Sequence, residues 1–91
     1  MDIKRDDQGF YVGTADSKDA MITFEDKGNQ TIDIDHTEVS EKLRGTGMAG
    51  KLVKAVVEYA RENDLKVTAS CPYAKKKLSS KEEYQDVYVG E

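Results

Sequence analysis

Three groups of residues have the types and spacing to do chemistry. The first is Arg44-Gly45-Thr46-Gly47-Met48-Ala49, a glycine-flanked segment directly before a run of helical periodicity. The first N–H groups of a helix have no intrahelical partner, and the helix dipole adds partial positive charge at that end. Glycines there permit positive φ and close approach of a bulky anion, so a phosphate is a natural ligand. Arg44 could add a charge-assisted contact. The alternative is a tight loop that binds nothing. A Walker loop needs Gly-x-x-x-x-Gly-Lys-Ser/Thr, which this segment is not. A dinucleotide fingerprint needs a third glycine within a Rossmann unit and an acidic residue further on, and the chain is too short for that fold.

The second group is His36 with Glu38. His36 is the only histidine, a residue type suited to moving protons near neutral pH. Glu38, two positions on, could orient the ring or act as a base itself. The alternative makes His36 a hydrogen-bonded structural residue on the face of Ile32 and Ile34, and Glu38 a solvated strand-end charge. The third group is Cys71, the only cysteine. A nearby helix start or His36 would favour its thiolate as a nucleophile. Otherwise it continues the parity of Val67 and Ala69 as a small buried hydrophobe. No metal site is expected.

These residues need elements to position them. Gly9 to Asp16 carries Phe10, Val12 and Thr14 on one parity, and Asp16 to Asp19 is turn chemistry. Ala20, Ile22 and Phe24 alternate with Met21, Thr23 and Glu25, as in a half-buried strand. A turn over Asp26 to Asn29 leads to a third strand, Gln30 to Val39, with Ile32, Ile34 and His36 on one face. Its alternation breaks at Glu38-Val39, which predicts a bulge or bend there. From Gly47 the period changes. Met48, Leu52, Val56 and Ala60 form one row, Ala49, Val53 and Val57 the next, and the other side is charged, predicting an amphipathic helix of about four turns. Asn63-Asp64 closes it before a short strand, Leu65 to Cys71. The helix thus joins two strands able to lie parallel, as in a crossover. Pro72 can begin a helix at its first turn. The tail from Lys75 to Tyr88 is too polar to assign.

Composition bounds the rest. At 91 residues a single domain over 1–91 is expected, with a thin core of one sheet and one or two helices. A formal net charge of −4 argues against a nucleic-acid partner. No apolar run reaches membrane-span length, and Met1 to Asp7 has no apolar signal region. One cysteine forms no intrachain disulfide, and the expected setting is reducing and cytoplasmic.

Arg44 to Ala49 also fits the Arg/Gln-x-x-Gly-x-Gly/Ala signature of the GNAT acetyltransferase superfamily. With His36-Thr37-Glu38-Val39 before it and Cys71-Pro72-Tyr73 after the next strand, the chain from Ile32 to Val87 resembles the small, minimal GNAT-like N-acetyltransferases. The resemblance implies an α+β (α/β) fold: a mostly antiparallel twisted sheet of about four or five strands, one long central helix and a short C-terminal helix. It implies acetyl-coenzyme A as cofactor. The sheet would splay where the strand ending at Val39 meets the strand ending at Cys71, with pantetheine in the gap, pairing with backbone near Val39. The pyrophosphate would sit on backbone N–H groups of the loop, and the thioester would point toward His36 and Cys71. The implied cofactor-binding set is Val39, Arg44, Gly45, Thr46, Gly47, Met48 and Ala49. The catalytic candidates are Cys71, His36 and Glu38.

Many larger members use a tyrosine in the helix after the last of these strands to protonate the departing thiolate. The small family's pattern puts an aromatic residue near Lys77. Here the run is Lys75-Lys76-Lys77, with Tyr73 and Tyr84 the nearest alternatives, so the acid is unassigned. The lysine run reads as a solvated face, or alternatively as an attractor of the cofactor's phosphates. The expected function is an N-acetyltransferase moving acetyl to an unidentified amine, a small molecule or a protein lysine. The alternatives are a non-catalytic acetyl-CoA or CoA-binding module or sensor, and a structural domain whose glycine loop is only a loop. Expected partners are acetyl-CoA and the amine, with no nucleic acid or membrane, in a monomer or weak dimer.

Overall fold

The computed structural model describes residues 3–14 and 16–89. Its strands are β1 (Lys4–Arg5), β2 (Gly9–Gly13), β3 (Lys18–Gly28), β4 (Thr31–Val39) and β5 (Lys66–Ala69). Its helices are α1 (Met48–Glu62) and α2 (Pro72–Ser80). The sheet runs in the order β1-β2-β3-β4-β5. Each neighbouring pair is antiparallel except β4 with β5, which are parallel and joined through α1.

The period-3.6 pattern becomes the buried face of α1. Leu52, Val53, Val56, Val57 and Ala60 are fully buried and Met48 nearly so, while Lys51, Lys54, Glu58, Arg61 and Glu62 face outward. A fully buried Val or Leu contributes about 1.5–3 kcal/mol, so this face is the main anchor of the core. It packs on Val12, Ala20, Ile22, Ile32, Ile34 and Val67, which share one face of the sheet, and α2 adds Ala74 and Leu78 to the same cluster. The other parity (Tyr11, Met21, Thr23, Asp33 and Thr68) is only half-buried. Both helices therefore cover one face and leave the second uncovered. Asp64 takes positive φ (55°) after α1, and the Leu65 amide bonds back to Ala60, which stops the helix.

The turn between β2 and β3 falls two residues earlier than the turn chemistry predicts, and β3 runs on to Gly28. β2 ends at Gly13, and β3 is already paired at Lys18, with Thr14 and Ser17 closing the turn. The β3–β4 turn is Asn29-Gln30 instead of Asp26 to Asn29. Both residues have positive φ (54° and 61°), the geometry whose twist matches a two-residue hairpin. The tail that sequence could not assign forms α2 and a 3-10 turn, Glu82–Tyr84. It then returns to β5, where Val67 and Tyr88 form a parallel bridge. Arg61 staples α1 to this return with two bonds to Asp86, both 2.9 Å, and one to the Glu83 carbonyl.

The bulge lies at Asp35, not at Glu38-Val39. Thr23 pairs with His36 but Phe24 pairs with Ile34, so Asp35 is the extra residue on β4. One extra residue reverses the parity of everything after it. Ile32 and Ile34 face the helices before the bulge, and Thr37 and Val39 face them after it. His36 and Glu38 thereby move to the uncovered face. Simple alternation, carried through Asp35 unbroken, puts His36 beside Ile34, and that placement is wrong.

Candidate active site

The bulge coincides with the opening of the sheet. Pairing between β4 and β5 runs from Thr31↔Lys66 to Ile34↔Ala69 and stops. The amides of Ser70 and Cys71 then both fold onto the Ile34 carbonyl, at 3.0 and 3.1 Å. From Asp35 to Val39 the edge of β4 away from β3 has no strand neighbour among the described residues. The mouth of this splay is pinned on the uncovered face by Asp33, whose carboxylate accepts hydrogen bonds from Thr68 and Ser70, each 2.7 Å.

Past Val39, a 3-10 turn over Glu41–Leu43 leads into Arg44 and the glycine loop. Gly45 and Gly47 have φ of 83° and 80°, a region costly for any residue with a Cβ. Gly47 is the N-cap of α1 and offers no side chain to cap it. The first bond into the helix is Lys51 N–H to the Gly47 carbonyl, 3.1 Å. The amides of Gly45, Gly47, Met48, Ala49 and Gly50 find no acceptor among the described residues. The loop is thus a row of free N–H groups with the helix dipole behind it.

Val39, Arg44, Gly45, Gly47, Met48 and Ala49 converge on one open hollow of about 230 Å³, closed on the far side by Tyr73 of α2. Thr46 does not join them. Its hydroxyl turns back to bond the Leu43 carbonyl and locks the loop instead. Tyr73 is 38% exposed, and burial pushes its hydroxyl above the usual tyrosine value, so it keeps its proton at neutral pH. Tyr84 is buried, and desolvation followed by the Glu83 charge pushes it up too, but it does not line this hollow.

Sequence reasoning missed Gly50. It completes Gly45-Thr46-Gly47-Met48-Ala49-Gly50, a Gly-x-Gly-x-x-Gly spacing that ran one residue beyond the segment considered. A Cβ built there meets nothing within 4 Å, and its φ is ordinary. Nothing inside the protein calls for glycine at this position, where it weakens the helix.

The structure brings His36 and Glu38 together and separates Cys71 from them. His36 Nε2 and Glu38 Oε2 lie 3.2 Å apart, with side chains 56% and 67% exposed on the uncovered face. Cys71, 9% exposed, is on the helix side, where its thiol donates to Thr37 Oγ1 at 3.7 Å. Neighbouring residues of a strand point to opposite faces, so Cys71 meets Thr37 and not His36. Among the described residues no group of His, Cys, Asp and Glu could hold a metal ion. No helix is long and apolar enough to cross a membrane.

Comparison with known proteins accords with this geometry. Residues 9–87 match the family model of the GCN5-related N-acetyl-transferases. The fold superposes on the solution structure of a GCN5-like protein from Staphylococcus aureus with a TM-score of 0.85 and 48% identity, covering 99% of this chain and 89% of that one. A GNAT-family crystal structure from Desulfovibrio desulfuricans shares the fold alone, at 13% identity and a TM-score of 0.58 over 85% of this chain and 50% of that one. Protein NATD1 of Xenopus tropicalis is 40% identical over 57 residues, 63% of this chain. Human NATD1 is 39% identical over the same length. The chain spans about half the length of these curated relatives, 52% and 50%. The splayed β4–β5 pair and the glycine-capped helix start accord with the family match, and the chain belongs to the GCN5-related N-acetyltransferase family.

Proposed function

We propose that the protein transfers the acetyl group of acetyl-coenzyme A to a cationic amine that approaches from the uncovered face of the sheet. The observation that carries this reading is the set of free amides on Gly45, Gly47, Met48 and Ala49, residues that line the same hollow as Val39 at the unpaired edge of β4. The residues fit the coenzyme. The free amides and Arg44 suit the pyrophosphate, and the free edge of β4 between Asp35 and Val39 suits the amide groups of pantetheine. The acetyl thioester would then lie in the splay between Thr37 and Cys71.

The amine has a separate way in. Asp33, Asp35 and Glu38 lie on or beside the uncovered face at the splay and attract a protonated amine. His36, oriented by Glu38, takes the proton that the amine must lose before it attacks. The nitrogen bonds to the thioester carbon, the carbon–sulfur bond breaks, and the departing thiolate takes a proton from Tyr73; the second proton that the nitrogen sheds on becoming an amide passes through solvent and restores the Tyr73 hydroxyl. Cys71 lines the gap from the helix side. The free thiol of Cys71 and that of the coenzyme product both suit a reducing, cytoplasmic compartment.

The test is release of free coenzyme A thiol from acetyl-CoA, measured across a panel of polyamines, amino-acid amines and lysine peptides. Turnover with a cationic amine is expected, falling about 10²-fold or more in His36→Gln. Binding with no thiol release for any amine would contradict the reading.

A further inference from the structure

A second hollow, of about 260 Å³, adjoins the first at Gly47 and is lined by Gly50, by Lys51 and Lys54 of α1, and by Lys77 and Lys81 at and after the end of α2. The surroundings of these cations differ from those of most others; outside this hollow Arg44, Lys75 and Lys76 also lack a carboxylate partner among the described residues. Lys18, Lys27, Lys42 and Arg61 each hold a carboxylate, Lys4 and Lys66 hold backbone carbonyls, and Arg5 lies over the Tyr59 ring. Lys51, Lys54 and Lys81 have no carboxylate within ion-pair distance among the described residues, and Lys77 has only the Tyr73 ring, 5.8 Å away. An acidic chain of net charge −4 thus gathers unneutralised ammonium groups around one hollow, with Glu83 as its acidic lining residue. Gly50 adds a wall without a side chain and an amide without an acceptor.

We infer that this hollow is the subsite for the ribose 3′-phosphate of coenzyme A, so that Lys51, Lys54, Lys77 and Lys81 select the coenzyme over its dephospho form. The inference rests on the coenzyme reading given above and assigns the end of the molecule that reading leaves open. With the pyrophosphate on the free amides of the loop and pantetheine along the Val39 hollow, the lysine-lined hollow adjoins the other side of Gly47, where the adenosine end emerges. The 3′-phosphate is a dianion near neutral pH, and compact ammonium groups on flexible stems suit it as point charges.

Calorimetric titration of coenzyme A and of dephospho-coenzyme A tests this on three proteins: the wild type, Lys77→Gln/Lys81→Gln, and Lys75→Gln/Lys76→Gln. The last pair removes the same charge from exposed positions on α2 outside the hollow. Wild type is expected to prefer coenzyme A by about tenfold or more, the scale of one charge-assisted hydrogen bond. The Lys77/Lys81 variant should lose most of that preference with dephospho-coenzyme A affinity changed by less than about threefold, and the Lys75/Lys76 variant should keep it. Equal affinities in the wild type, or equal weakening of both ligands by Lys77→Gln/Lys81→Gln, would overturn the subsite while leaving the coenzyme reading intact. Failure of the wild type to bind either ligand would overturn both.

Discussion

Gly50 stands in the first turn of α1, where a Cβ would meet no protein atom within 4 Å. Gly50→Ala therefore adds a methyl group without a clash. Glycine costs about 0.5–1 kcal/mol relative to alanine in a helix, so the free protein should become more stable by about that much. In a domain of this size that raises the melting temperature by about 2–8 °C. In a helix the Cα–Cβ bond leans toward the N-terminus, so the new methyl sits over the free amides. Displacing a phosphate from one charge-assisted hydrogen bond costs about 1.5–3 kcal/mol, which weakens coenzyme binding roughly ten- to hundredfold. Thermal shift with and without coenzyme A reads both effects in one experiment: a higher melting temperature for the free protein and a smaller rise with ligand. An unchanged ligand-induced rise in a stabilised variant would refute the claim that Gly50 is kept small for a ligand. Gly45 and Gly47 are poorer probes, because their positive φ strains any replacement whether or not a ligand binds.

Tyr73→Phe should lower kcat by about 10²-fold or more with coenzyme affinity unchanged, if its proton goes to the departing thiolate; steady-state rates paired with titration check this. Cys71→Ala should keep coenzyme affinity within about threefold while losing about 1 kcal/mol of stability from a buried side chain. Intact-mass analysis after acetyl-CoA alone is expected to show no acetyl adduct, because the Cys71 thiol is 9% exposed and engaged with Thr37; an adduct that an amine discharges would make Cys71 the nucleophile. Lys18 holds the Asp6 carboxyl, and Arg61 the Asp86 carboxyl, below the usual aspartate range. A carboxyl lowered in the folded state stabilises fully above that range and loses its contribution as pH falls through it. The melting temperature should therefore drop below about pH 4, and the drop should be shallower in Asp86→Asn.

Where the pattern was strong, residues alone located the architecture. The rows Met48-Leu52-Val56-Ala60 and Val53-Val57 are the buried face of α1, because a 3.6 period over four turns has no other solution against a single sheet. The loop from Arg44 to Ala49 was legible too, since glycines before a helix advertise free amides. The inserted Asp35 was not. A bulge leaves no trace in composition, and Thr37 with Val39 mimics a polar–apolar alternation of the opposite parity. His36 consequently looked like a core-facing residue and a possible neighbour of Cys71, and it is neither. The β3–β4 turn falls later than expected because Asn29 and Gln30 take the positive φ of a two-residue hairpin. The tail was illegible because its burial comes from isolated positions, Leu78, Tyr84, Val87 and Tyr88, spread through a 3-10 turn and a bridge with no single period.

The claim most of this depends on is that the free amides at the start of α1 hold a diphosphate. Titrating ¹⁵N-labelled protein with coenzyme A tests it most directly, because a hydrogen bond to an anion moves the amide resonance that makes it. The largest shifts should come from Gly45, Gly47, Met48, Ala49 and Gly50, with Val39 following and the β1–β2 edge unmoved. Saturable binding that leaves those amide signals in place, with shifts elsewhere, would contradict the account.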